Sequence, residues 1–281
     1  MLPHEIIFGI YLLTMWVRLV FATGWLGRDA RVYLVFLIVN AVVILGCVRH
    51  ETNLRWRLRL LFYPVAMNVF FAVMKSAVPA VHPALQDQWL HAIDCRLIGG
   101  DLSLRLQPFI QPVLTEFLSF CYILFFPSLL FGMICYFFGE LELLKKFFVG
   151  LFSLYGLGYL GYSLVPALGP HLAMPDQYTA PLEGWAMTRW NSAVVRFGSN
   201  HVDVFPSLHC AVSSYMLFFD RRHKPWRFWL FLAPCAGLWV STIYLRYHYF
   251  VDVVCGFALA AVCLEITNRY RKENYEIPAP I

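Results

Sequence analysis

Charge is what this sequence has least of. Of its 281 residues only 14% are Asp, Glu, Lys or Arg, against about a quarter in a typical soluble domain. With 60% apolar residues and a mean hydropathy of +0.62, that scarcity excludes a disordered chain, a coiled coil and an ordinary soluble enzyme. Paired cysteines are lacking too. Cys47, Cys95, Cys121, Cys135, Cys210, Cys235, Cys255 and Cys263 form no CxxC pair, and most fall in apolar runs, where Cys behaves as a small hydrophobe. Neither a disulfide framework nor a metal site is expected. The amino terminus has no positive n-region and no small-residue cleavage site after Arg18, so no removable signal is expected. No basic tract is dense enough for a nucleic-acid partner. There is no N-x-Ser/Thr sequon and no retention signal at Ile277-Pro278-Ala279-Pro280-Ile281. A compact chain of this kind is expected in a bacterial inner membrane, with the Golgi or another endomembrane as the alternative.

What the chain does have is long apolar runs. A helical crossing needs about 20 mainly apolar residues. Runs at about 5–24, 31–48, 58–80, 113–138, 147–166, 206–219, 228–246 and 248–268 meet or approach that length. The predicted fold class is all-α, a polytopic transmembrane helical bundle of about eight spans. Two amino-terminal helices (residues 1–50) precede a membrane domain (residues 51–281) with a six-helix core. With the carboxyl terminus in the cytoplasm, alternation through eight spans puts 13 of the 22 basic residues inside and seven outside, leaving Arg18 and Lys75 within spans. The bias follows the positive-inside rule, so both termini are predicted cytoplasmic. Arg221-Arg222-His223-Lys224 is then a cytoplasmic hairpin, and Lys75 snorkels to the outer interface. Residues 81–112 read as a helix lying in the interface plane. Residues 167–205 read as the longest irregular stretch, of the length usually tied to function, with Arg189 and Arg196 either holding a lipid head group or solvated, and His201 and Asp203 as solvated loop residues. Trp89, Trp185 and Trp190 suit interfacial anchors.

Two clusters carry ionisable groups at the outer ends of apolar runs, where they default to functional hypotheses. The first is Phe205-Pro206-Ser207-Leu208-His209. Pro206 suits a first helical turn, and the backbone N–H groups after it form a ready anion site. The second runs from Ser241 to Asp252 and contains His248 and Asp252 four apart, on one face if helical. Asp252 can then accept a hydrogen bond from one imidazole nitrogen and leave the other free to attack. The predicted topology brings both clusters to one membrane face. A buried structural histidine, a pair of metal ligands or a pH-sensitive ligand in a non-catalytic lipid-binding or transport protein would use the same residues, so the motifs alone leave these alternatives open.

Pro206-Ser207-Leu208-His209 followed by His248-Tyr249-Phe250-Val251-Asp252 resembles the second and third motifs of the type 2 phosphatidic acid phosphatase (PAP2) superfamily. Ser241-Thr242 ahead of Tyr244-Leu245, and Pro166-Ala167-Leu168-Gly169-Pro170, resemble its inositol phosphorylceramide synthase branch. The resemblance covers roughly residues 58–268. It implies a two-step transfer through a phosphohistidine. His248 would be the nucleophile, Asp252 its orienting partner, and His209 the acid for the leaving oxygen and then the base for the incoming hydroxyl. Membrane lipids are the implied substrates, no cofactor or metal is implied, and the oligomeric state is left open. The superfamily's first motif is absent, and Thr242 stands where the third usually has Arg. Two phosphate-binding cations are therefore missing, with Arg246, Arg196 and His171 and the hydroxyls of Ser207 and Tyr244 as candidate substitutes. The expected chemistry is movement of a phosphorylated head group between lipids, with a lipid phosphate or pyrophosphate phosphatase as the alternative.

Overall fold

The computed structural model describes residues 1–48 and 51–273, which contain helices and no strand. Arg49, counted among the inside cations, and the 277–281 segment lie outside the described residues. In chain order the helices are α1 (Pro3–Thr23), α2 (Arg28–Val48), α3 (Asn53–Val81), α4 (Asp87–Ile98), α5 (Leu102–Arg105), α6 (Pro112–Ile123), α7 (Phe125–Phe137), α8 (Leu141–Leu164), α9 (Pro170–Ala173), α10 (Ala186–Gly198), α11 (Leu208–His223), α12 (Pro225–Tyr244) and α13 (Phe250–Glu273).

Local chemistry explains many of the boundaries. Proline occupies the first turn of α1, α6 and α12, where its missing N–H costs no hydrogen bond. Thr52 caps α3 and Ser207 caps α11, each through a side-chain oxygen. Gly99, left-handed at φ 75°, ends α4. Residues α6 and α7 together make one apolar stretch, Pro112–Phe137, interrupted only at Leu124.

Among the described residues six stretches are long and apolar enough to cross a membrane: α1, α2, α3, α6 with α7, α8, and α13. The other two expected crossings, α11 with 16 residues and α12 with 20, fall outside that set. They pack on each other, and α11 also packs against α8 and α13. Helix α8 is the hub, touching α1, α3, α7, α11 and α13. Its small residues permit this: a Cβ at Gly158 would strike Leu208 of α11. The α1 face bearing Phe8, Tyr11, Leu12, Met15 and Leu19 is fully buried against α2, α3 and α8.

Two buried ion pairs join helices within the described bundle. Arg59 on α3 meets Glu5 on α1 at 2.5 Å with both side chains buried. Arg227 on α12 meets Asp220 on α11 at 3.0 Å, and Tyr136 on α7 donates to the other Asp220 oxygen at 2.5 Å. Burial of an ion is tolerated only with such partners. Arg227 thus belongs to the helix interface, although it sits beside the basic 221–224 hairpin in sequence. Arg18 on α1 reaches the hydroxyl and carbonyl of Ser163 on α8.

The 81–112 segment is helical, and the stretch expected to be irregular contains more structure than its composition suggests. Residues 81–112 hold α4 and α5, and the 167–205 stretch holds α10, a 13-residue amphipathic helix. Helix α10 is pinned to α6 by Glu116, whose carboxylate accepts from the backbone N–H of Trp185, Met187 and Thr188 at 2.7–3.1 Å.

Candidate active site

The site is built where α12 ends and α13 begins. Arg246 adopts the left-handed conformation (φ 68°), which terminates a helix. The Thr242 carbonyl then accepts from both Tyr247 N and His248 N. His248 therefore lies in the connection between the two helices. Asp252 is the third residue of α13, and its Oδ2 reaches back to Tyr249 N at 2.8 Å, as an acid at that position does in a capping box. The expectation that His248 and Asp252 share a helical face is thus replaced by a turn-and-cap geometry. It still brings His248 Nδ1 to 3.5 Å from Asp252 Oδ2, longer than a hydrogen bond. Both side chains are buried.

His209 arrives from the first turn of α11. Its ring centroid is 6.0 Å from that of His248, with Tyr122 at 4.6 Å and Phe125 at 4.7 Å on its other sides. Both ring nitrogens of His209 are buried without a hydrogen-bond partner, as is His248 Nδ1. The α11 start is tied to α13 by Ser207 N, which donates to the Asp252 carbonyl at 3.0 Å. The helices touch closely here, and a Cβ on Gly256 would lie 2.5 Å from the Ser207 carbonyl oxygen.

Helix α4 fastens the loops from outside. Asp94 accepts from Phe250 N at 2.7 Å and Val251 N at 2.9 Å, capping α13. Seven residues earlier, two turns along the same face, Asp87 accepts from Leu168 N, Gly169 N and the Tyr249 hydroxyl at 2.9–3.1 Å. Gly169 is at φ 85°, and a Cβ there would lie 2.5 Å from the Tyr247 carbonyl oxygen, so only glycine fits. The 166–171 loop is thereby pressed against the His248 loop, with His171 N donating to the Arg246 carbonyl at 2.9 Å.

His209 and His248 face a cavity of about 460 Å³. Its walls are mainly aromatic and aliphatic: Tyr155, Tyr159 and Tyr162 on α8, Phe125 and Met133 on α7, Met67 and Phe71 on α3. The span from Phe152 to Tyr162 on α8 gives it a length of about 15 Å at 1.5 Å per residue. Asn68 on α3 and Phe126 on α7 both line it and are exposed, so it opens sideways between those helices. Val194, Val195 and Gly198 of α10 cover its outer end. Among the described lining residues none is Lys or Arg, and the one carboxylate is Asp203.

The expected binding residues separate into two groups. His171 lines the cavity, its ring 5.3 Å from Tyr247, and burial lowers its pKa from the ordinary 6.5 to about 4. Ser207, Tyr244, Arg246 and Arg196 do not line it. The Ser207 hydroxyl caps Cys210 N. The Tyr244 hydroxyl bonds Thr115 of α6 at 3.0 Å and accepts from Gln111 N, just ahead of that helix, at 3.3 Å. Arg246 turns outward, donating to the Ala180 carbonyl and lying 4.1 Å from the Tyr178 ring. Arg196 is exposed on α10, in a separate groove with Arg189 and Glu183.

Asp203 was expected as a solvated loop residue and instead enters the cavity. Ser199 Oγ donates to its Oδ1 at 2.8 Å, and burial raises its pKa. Asp87 and Asp94 also escape local pattern reading, since their partners lie 81 to 162 residues away. Among the described residues no group of three or more His, Cys, Asp or Glu side chains is placed to hold a metal ion.

The PAP2 superfamily pattern matches residues 88–266, which contain both histidines and Asp252. The chain belongs to the PAP2 superfamily. Within it, the chain is 38% identical over 86 residues to the catalytic subunit of inositol phosphorylceramide synthase from Saccharomyces cerevisiae, covering 29% of this chain and 19% of that one. It is 30% identical over 132 residues to inositol phosphorylceramide synthase from Candida albicans, covering 44% of this chain and 25% of that one. The matched segment thus spans a quarter or less of either relative's length. These matches support the synthase-like branch of the PAP2 superfamily. No solved structure matches the chain significantly.

Proposed function

We propose that this PAP2 protein is a lipid phosphotransferase that moves a phosphorylated head group from a phosphodiester-linked lipid to a lipid hydroxyl, through a phosphohistidine at His248. The carrying observation is the pair of imidazoles at an apolar cavity whose described lining residues include no Lys or Arg. A phosphomonoester carries nearly two negative charges at neutral pH, and a site without cations suits it poorly. A phosphodiester carries one.

In the first step a His248 nitrogen attacks phosphorus and the phosphorus–oxygen bond to the diacylglycerol breaks. A protonated His209 gives its proton to that departing oxygen. Asp252, 3.5 Å from His248 Nδ1, stabilises the positive charge that develops on the ring. In the second step His209 takes the proton of the acceptor hydroxyl, whose oxygen attacks phosphorus and releases His248. The proton balance closes over the cycle. The Leu208 and His209 N–H groups in the first turn of α11 lack helical acceptors and are suited to the developing charge on the phosphoryl oxygens.

The cavity, open sideways between α3 and α7, suits entry of an acyl chain from the bilayer. The charge bias of the connections supports eight crossings, α11 and α12 included, with both termini cytoplasmic and the histidines at the extracytoplasmic or lumenal face. Residues 51–281 then form the catalytic domain and 1–50 an amino-terminal helix pair.

The test is product analysis by mass spectrometry of purified protein given labelled phosphatidylinositol, with and without ceramide. The expected result is ceramide-dependent appearance of the phosphorylated head group on ceramide. Free phosphate from phosphatidic acid, with no acceptor dependence and no transfer product, would overturn the proposal in favour of a phosphatase.

A further inference from the structure

Asp203 is the one carboxylate among the described residues lining the cavity. Nothing in the mechanism above uses it. Its neighbours explain how it is held: Ser199 Oγ donates to Oδ1 at 2.8 Å, and His201 N donates in turn to that Ser199 oxygen at 3.1 Å. Burial works against the ionised form of Asp203, while the Ser199 bond, its own backbone N–H and the nearby His248 favour that form. An ionised carboxylate offers about four acceptor sites, so these bonds leave capacity for a ligand. The next residue, Val204, also lines the cavity, and His248 is close enough for its charge and that of Asp203 to influence each other.

A lone carboxylate beside a phosphate-handling imidazole is unfavourable for phosphate itself. Each added negative charge on the ligand is repelled, and the repulsion is stronger in a dry apolar site than in water. The same carboxylate is a strong acceptor for a hydroxyl group, because hydrogen bonds to an ionised acceptor are roughly twice as strong as neutral ones. The two effects select in one direction. A phosphodiester with a hydroxylated head group gains a bond and carries one charge; a bare phosphomonoester gains no such bond and carries nearly two.

We propose that Asp203 is a specificity-determining residue of this site, accepting a hydrogen bond from a head-group hydroxyl of the donor lipid and turning away phosphomonoester dianions. The proposal rests on the transfer reading for the identity of the substrate, and concerns which phospholipid the cavity admits.

The test compares phosphatidylinositol with phosphatidic acid on the full-length purified protein. Turnover ratios are measured for the wild type, Asp203→Asn, Asp203→Glu and Ser199→Ala, and competitive lipid binding is read in parallel by native mass spectrometry. Asp203→Asn keeps an acceptor for Ser199 and removes the charge. It is expected to shift the ratio toward phosphatidic acid by about tenfold. Asp203→Glu and Ser199→Ala keep the charge and are expected to stay within about twofold of the wild type, the scatter usual for a conservative change. If the amide variant fails to accumulate, the neutral Asp203→Ser supplies the same comparison. An unchanged ratio in the neutral variant, or an equal shift in Ser199→Ala, overturns the proposal. If the wild type turns over neither lipid the transfer reading fails, and the binding competition still decides on Asp203 by the same shift.

Discussion

The imidazole rings of His209 and His248 lie 6.0 Å apart, inclined at 61°, although 38 residues of chain separate them. One ring hangs from the first turn of α11 and the other from the connection between α12 and α13. In the proposed transfer that placement puts both within reach of one phosphoryl group and gives them different duties. Replacing His248 with Ala is expected to lower turnover of every phospholipid by about a thousandfold or more, as loss of a nucleophile does. His209→Ala should lose comparable activity on natural lipids. It should regain much of it on a phosphodiester with a p-nitrophenolate leaving group, which departs without a proton. Equal loss on both substrates would remove His209 from the acid role.

Asp94 spends both carboxylate oxygens on the first N–H groups of α13. Asp94→Ala leaves those two donors unpaired beside Asp252, at a cost of about 3 kcal/mol. The expected readout is a lower melting temperature in detergent together with reduced kcat. A variant with unchanged melting temperature would show that the cap contributes nothing.

Tyr244 resembles a substrate ligand in sequence and behaves as a helix tie in the structure, bonded to Thr115 and Gln111. Tyr244→Phe should cost about 1 kcal/mol of stability while kcat/KM for phosphatidylinositol stays within about twofold. A raised KM at unchanged stability would return Tyr244 to the substrate.

His171 is held neutral by burial, its pKa lowered to about 4. Between that value and the unfolded value of about 6.5, the unfolded chain binds a proton that the folded one does not. Its contribution to stability is therefore complete above about pH 6.5 and declines as pH falls toward 4, by up to about 1 kcal/mol per pH unit. His171→Gln should flatten that part of the melting-temperature profile. Parallel profiles for the two proteins would refute the assignment.

Much of this architecture was legible in the chain. Sparse charge and long apolar runs announce a membrane bundle, and the Pro206–His209 and His248–Asp252 motifs are both at the site. Helix α10 had a signal as well: Met187, Trp190, Val194 and Phe197 recur at helical spacing, masked by the Pro, Gly and Asn around them. The remaining features were not local. Asp87 and Asp94 act on backbone amides far along the chain, and no spacing rule links them. Asp203 reads as loop solvation because burial by α8 and α10 cannot be seen from its neighbours. Arg246 looks like a phosphate ligand, but its left-handed backbone aims it at Ala180 and Tyr178.

The fastening of the histidine loop to α4 has a mechanical consequence. Asp87 and Asp94 secure Leu168, Gly169 and residues 249–251 to a short helix that is not among the membrane-crossing stretches. The gap through which a lipid would pass lies elsewhere, between α3 and α7. In the proposed reaction the loop that carries His248 is thus anchored to an element that takes no part in admitting the acyl chain, much as a lock can sit on the wall opposite the door.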